Sequence, residues 1–209
     1  MRRFSVLLLG LLTLSLHGET KKPDEAKPAK PEAKAFVIPL ECEFNGERRE
    51  INVTIPNEFS YSEAHNSLRF RGIAKPVILG ELKTLSPNQR VSLQISVIPP
   101  SKKNPKTEKD IIEYLKSGTE AFVQGSVEGK FTPVKLNLKD GIGYAVTLTD
   151  KDEVNQPRPT KGPEHYLIIT TAVVMIGDTI AVGTLLSDDV KSADYLAAFK
   201  SLEGMTEKK

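Results

Sequence analysis

Residues 166–186 read YLIITTAVVMIGDTIAVGTLL. Apolar side chains fall on both parities of this stretch, and Gly177-Asp178 breaks it near the centre. A strand that is apolar on alternate residues has one wet face. A strand that is apolar throughout lies inside a sheet covered on both faces. The stretch therefore predicts two adjacent interior strands joined by a tight turn at Gly177-Asp178.

Downstream, Ser187-Asp188-Asp189 is expected to cap a helix, with Leu196, Phe199 and Leu202 facing inward and Gly204 ending it. Upstream, Val134, Leu136 and Leu138 alternate, as do Tyr144, Val146 and Leu148, around Asp140-Gly141. A three-residue loop would pair Leu138 with Tyr144, Leu136 with Val146 and Val134 with Leu148. That register puts one apolar set on one face and is the one expected. Further back, Thr107 is a good N-cap, with Asp110 as a capping-box variant. Ile111, Ile112, Leu115, Phe122 and Val123 follow at helical spacing, and Gly125 is the expected C-cap. Gly118 inside this helix costs about 1 kcal/mol against Ala, so the helix needs a sheet beneath it.

Val91, Leu93, Ile95 and Val97 alternate with polar residues until Pro99-Pro100 stop the strand. Ser67 to Phe70 and Pro76 to Leu82 read as short strands, and 56–67 as loop. From Phe36 to Phe44 the even positions are apolar, and from Ile51 to Ile55 the odd ones. Asn45-Gly46 between them is a strong hairpin signal. A two-residue turn there sets Leu40 against Ile51, Ile38 against Val53 and Phe36 against Ile55. Pattern and turn agree on one register. Together these elements give an α+β fold: a mostly antiparallel central sheet with covering helices, an α/β/α sandwich.

The flanks carry an address. Arg2-Arg3, a short apolar run from Phe4 to Leu16 and a polar end form a signal-peptide pattern. The run is too short for the roughly 20 apolar residues of a membrane span. Residues 21–35 are almost all Lys, Pro, Glu and Ala, which predicts a disordered linker. The expected organisation is a signal peptide over 1–20, the linker over 21–35, one domain over 36–205 and a disordered tail over 206–209. Processing then yields a chain that is periplasmic or extracellular and not an integral membrane protein.

The formal charge is +2, from 29 basic and 27 acidic residues. The basic excess sits in the flanks, so the body is near neutral. Phosphate binding needs a clustered positive field, which argues against a nucleic-acid partner. One cysteine, Cys42, allows no internal disulfide. It shares a strand parity with Leu40 and Phe44, so a buried, inert thiol is expected.

The order of elements resembles the PsbP-like α/β/α family, which includes photosystem II extrinsic proteins and DcrB-like bacterial envelope proteins. The resemblance rests on the early hairpin, the turn with Pro56, Phe59 and Tyr61, and the strand VSLQISVIP. It continues through the helix TEKDIIEYLKSGTEAF, then DGIGYAVTLT, the two apolar strands and the closing helix. It spans Phe36 to about Met205. The resemblance implies a non-catalytic accessory or binding module and carries over no catalytic residue.

No motif in the chain carries a chemistry. His65 and His165, with Cys42, are thin material for a zinc site, and no cofactor or metal is expected. Asp150-Lys151-Asp152-Glu153 lacks the spaced ligands of a calcium loop. The segment with most room for function is 150–163, DKDEVNQPRPTKGP, long for a hairpin connection. Arg158 and Lys161 within it, with His165 and Tyr166 at its foot, are the expected binding residues. The function expected is a non-enzymatic binding or accessory domain of the bacterial envelope, for a protein or small ligand. The alternatives are a secreted hydrolase with a site near Glu164-His165, or a stalked structural component.

Overall fold

The computed structural model describes residues 35–44, 47–56, 59–70, 73–84, 90–98, 104–157 and 165–207. The signal and linker segments, Asn45-Gly46, Arg158, Lys161 and Glu164 lie outside the described residues, as does the Cys42 side chain. The elements are β1 (Ala35–Phe44), β2 (Glu47–Pro56), β3 (Phe59–Phe70), β4 (Ile73–Thr84), β5 (Val91–Ile98) and α1 (Glu108–Gly125). Then follow β6 (Val134–Lys135), β7 (Ile142–Thr149), β8 (Ile168–Ile176), β9 (Thr179–Ser187), α2 (Ala193–Glu203) and β10 (Thr206–Glu207). Seven strands form one antiparallel sheet in the order β3-β4-β5-β9-β8-β7-β6, and β1-β2-β10 form a second.

β8 and β9 lie inside the large sheet, as their all-apolar sequence requires. Ile176 pairs with Thr179 across the Gly177-Asp178 turn, and Gly177 has φ +59°, the region glycine enters at no steric cost. One face of the pair joins a core with α2 and the small sheet: Ala172, Val174, Ala181 and Leu185 meet Leu40, Ile51, Val53, Ala198 and Leu202. The other face joins a core beneath α1: Val173 and Ile180 meet Ile111, Leu115, Tyr144, Val146 and Leu148. Each fully buried Leu or Ile contributes about 1.5–3 kcal/mol through the area it removes from water. The architecture is α+β with a helix on each face, and the small sheet lies beside α2.

The first hairpin has the expected register, with Leu40 opposite Ile51, Ile38 opposite Val53 and Phe36 opposite Ile55. Thr107 caps α1 through a reciprocal box with Asp110. Other expectations are corrected. Residues 59–67 are part of β3, not loop, because pairing with β4 supplies the order that their polar composition does not. Pro76, which has no N–H to donate, sits where β4 is paired with β3 but not with β5. Val134 lies opposite Ala145 and Lys135 opposite Tyr144, so the register expected around Asp140-Gly141 is wrong. Its premise was one buried face. β7 is buried on both, and Gly143 leaves the space that Leu136 and Leu138 fill, their Cδ1 atoms 3.1 and 2.8 Å from where a Cβ would stand.

α1 ends on Ser126, not Gly125, with the Ser126 N–H donating to the Val123 carbonyl. α2 is capped by Ser192, because Ser187 and Asp189 are already bonded into the turn before it. Phe122 and Leu196 are exposed, where inward positions were expected. Residues 206 and 207, expected in a disordered tail, add β10 beside Asn52 and Ile51 of β2.

Two glycines separate helix propensity from packing. Nothing lies within 4 Å of a Cβ added at Gly118, whereas one at Gly183 would overlap Leu202 Cδ2 in the core. Gly118→Ala should stabilise the protein by about 0.5–1 kcal/mol. Gly183→Ala should destabilise it by about 1–3 kcal/mol. Urea midpoints of the two variants, moving in opposite directions, check both.

Candidate functional site at the base of the β7–β8 connection

Thr149 and Ile168 are paired neighbours, yet residues 150–167 run between them. The structure fastens this excursion at its base. The Asp150 N–H donates to the Leu167 carbonyl at 2.9 Å. The Lys151 N–H donates to the Gly125 carbonyl at 3.1 Å, and Lys151 Nζ reaches the Gln124 carbonyl at 3.1 Å. A cation thus meets the carboxyl end of α1, whose own last turn has no basic residue. On the outgoing strand, Glu128 accepts from Thr149 N and Oγ1, both at 2.8 Å. Burial raises the Glu128 carboxyl, and these bonds more than offset it, leaving it below its usual range.

The returning end is held by Arg90, which precedes β5. Its guanidinium lies 4.6 Å from the centre of the Tyr166 ring. It donates to the His165 carbonyl at 3.0 Å and lies 3.6 Å from Asp188, both partners of that pair being largely buried. Asp188 also accepts from the Leu167 N–H at 3.2 Å. A planar guanidinium can stack and pair at once, which an ammonium cannot. The His165 Nδ1 and Glu153 Oε1 atoms are 2.8 Å apart, and Glu153 is 13% exposed against 60% for His165. The carboxylate therefore orients a ring that reaches solvent.

Of the four binding residues expected from sequence, the structure brings His165 and Tyr166 together at this base. Arg158 and Lys161 lie outside the described residues. The carboxylate that meets His165 is Glu153, twelve positions upstream. Arg90, Glu153 and Asp188 were not among the binding residues expected from the sequence. No local pattern marks them, because their partners come from other elements of the fold. Among the described residues, no group of three or more His, Cys, Asp or Glu side chains is placed to hold a metal ion.

A second polar cluster pins the start of α1 to the sheet. Tyr144 donates to the Glu108 carboxylate, and Lys135 Nζ approaches the same oxygen at 3.1 Å. The Tyr144 bond, then Lys135, hold the Glu108 carboxyl below its usual range. The same bond raises Tyr144, and Glu108 raises Lys135.

No family model matches the chain, and no curated protein matches it. Among solved structures the chain is similar to "Solution Structure of Cyanobacterial PsbP (CyanoP) from Synechocystis sp. PCC 6803". The two are 12% identical with a TM-score of 0.41, over 86% of this chain and 96% of that chain. No residue role comes with it.

The lowered Glu108 has a pH consequence. A carboxyl whose folded pKa is depressed stabilises the fold above its unfolded pKa, and that contribution is lost as pH falls through the folded value. Wild type should melt above Glu108→Gln at about pH 7, and the gap should close as pH falls below the ordinary carboxylate range. Thermal melts of the two proteins across that range check it. A gap independent of pH would show that the amide loses packing and not charge.

Proposed function

We propose that this chain is an exported, non-enzymatic binding or accessory domain of the bacterial cell envelope, working in the periplasm or outside the cell. The observation that carries the reading is the fastened base of the β7–β8 connection. A two-residue turn suffices to join antiparallel neighbours. A long excursion on a rigid base is how scaffolds present recognition loops. Arg90, Asp188, Glu153 and Lys151 hold the two ends in place, and the Pro-rich segment between them is what a partner would meet. In this reading residues 1–20 direct export and are removed, and 21–35 act as a solvated spacer before the domain. Among the described residues, no helix is long and apolar enough to cross a membrane.

Replacing 154–163 with a short Gly-Ser link, while keeping Asp150, Lys151, Glu153 and His165, tests the loop. Each halving of loop length changes closure entropy by about 0.6 kcal/mol, so the urea midpoint should barely move. Capture of partners from envelope extract should be lost. Unchanged capture by a protein of unchanged stability would remove the loop from the reading.

The export reading has its own test. N-terminal sequencing of protein recovered from the producing cells should begin between residues 19 and 21. A mature chain starting at Met1 contradicts it.

A further inference from the structure

The two sheets end on β3, β6, β1 and β10, and three of these edges are blunted. β6 and β10 are two residues long, and β1 carries Pro39, which has no N–H to donate. β3 is different. It runs for 12 residues, FSYSEAHNSLRF, with neither proline nor glycine, and every residue from Phe59 to Phe70 is paired with β4. Among the described residues, no strand lies on its other side. A long, regular edge of this kind is a template for a further strand, because its outward N–H and C=O groups can still pair.

The same hairpin is supported along only half its length. β5 pairs with β4 from Ile78 to Lys83. Residues 66–70 of β3 and 73–77 of β4 therefore form a two-stranded ribbon beyond the residues that β5 pairs. A ribbon of two strands is marginal in water, and a third strand stabilises it. Residues 62–65 of β3, in contrast, lie opposite 78–81 of β4, which β5 backs. The supported half of one β3 can thus supply what the other half of an identical strand lacks. Two β3 strands laid antiparallel about Asn66 set each copy's 66–70 against the other's 62–66.

Register alone decides which residues then stand opposite one another. Asn66 meets Asn66, Ser67 meets His65, Leu68 meets Ala64 and Phe70 meets Ser62. The acidic and basic residues of β3 are Glu63 and Arg69, placed symmetrically about Asn66. In this register each stands opposite the other copy's opposite charge, so the complementary pair occurs twice across the axis. The neighbouring registers that keep strand parity set Glu63 against Ser67 or beyond the end of β3. An in-register parallel pairing would oppose like charges. We propose that β3 is a dimerisation edge, at which a second copy of this chain pairs antiparallel about Asn66 with Glu63 opposite Arg69. Such an interface is isologous and closes at two copies. β3 ends the seven-strand order on the side away from β7, so the pairing does not use the β7–β8 connection and its test does not depend on that loop.

Sedimentation velocity and amide hydrogen exchange on the protein recovered from the producing cells test it. An interface made by one strand edge is small and transient, so dimer is expected at about 100 μM and monomer at about 1 μM. Edge amides within 62–70 should exchange more slowly at the higher concentration. Glu63→Arg and Arg69→Glu each oppose like charges twice and should weaken dimerisation about tenfold or more. An equal mixture of the two single variants should dimerise, because their altered positions complement each other. The Glu63→Arg/Arg69→Glu double variant should dimerise as wild type does. On β4 the opposed residues are Gly80 and Ala74, so the hairpin loses no directly opposed charge pair and melting at low concentration should not change. The proposal is overturned if wild type is monomeric at about 100 μM. It is equally overturned if either single reversal leaves the dimer unchanged, or if the mixture stays monomeric. Protection of the β3 edge amides that does not depend on concentration also overturns it, and assigns the edge to another segment of the same chain.

Discussion

Everything in this domain is arranged around a hairpin that cannot show either face to water. β8 and β9 place Ala172, Val174, Ala181 and Leu185 on one side and Val173 and Ile180 on the other, all buried. Leaving either set wet would forfeit the area term that dominates folding free energy. Two covers are therefore required, and the chain supplies them differently. On one side the small residues Ala172, Ala181 and Gly183 let α2 settle close, with Leu202 against Gly183, and leave room for the small sheet beside it. On the other, larger side chains carry a single helix.

Among the described residues the buried Thr179 hydroxyl of β9 has no hydrogen-bond partner, but the deep threonine of β8 is paired twice. Thr170 is fully buried, and its hydroxyl meets Tyr195 at 2.8 Å and Thr147 at 2.9 Å. This ties β7, β8 and α2 by hydroxyls that would otherwise be desolvated without return. The polar row on the α1 side, Thr171-Thr184-Gln94, is only half-buried. The contrast between two threonines adjacent in sequence follows from strand parity alone. Thr170 faces the α2 side of the sheet and Thr171 the α1 side.

How much of this the sequence could reveal depended on whether the deciding partner was local. The first hairpin was legible to the residue, because the turn type and the alternation each specify the same register. The α1 cap was legible because both partners lie within four residues. The β6–β7 register was misread because burial on both faces of β7 abolishes the parity signal that the argument used. The first part of β3, before the strand expected at Ser67 to Phe70, was read as loop because a polar sheet margin has no periodic signature, only a neighbour. Phe122 was placed inward by its spacing, but spacing does not say where a helix overhangs its sheet. Of the candidate site, the long connection and its foot at His165 and Tyr166 could be seen. Arg90, 75 positions from its partner His165, could not.

α1 is one of the elements to which the β7–β8 connection is fastened. Its last carbonyls are bound by Lys151 of the β7–β8 connection. Its first turn is fixed by Glu108 to Tyr144 and Lys135. A helix held at both ends and packed along Ile111 and Leu115 has little freedom to slide or roll. The base of the connection is thus positioned by one rigid element.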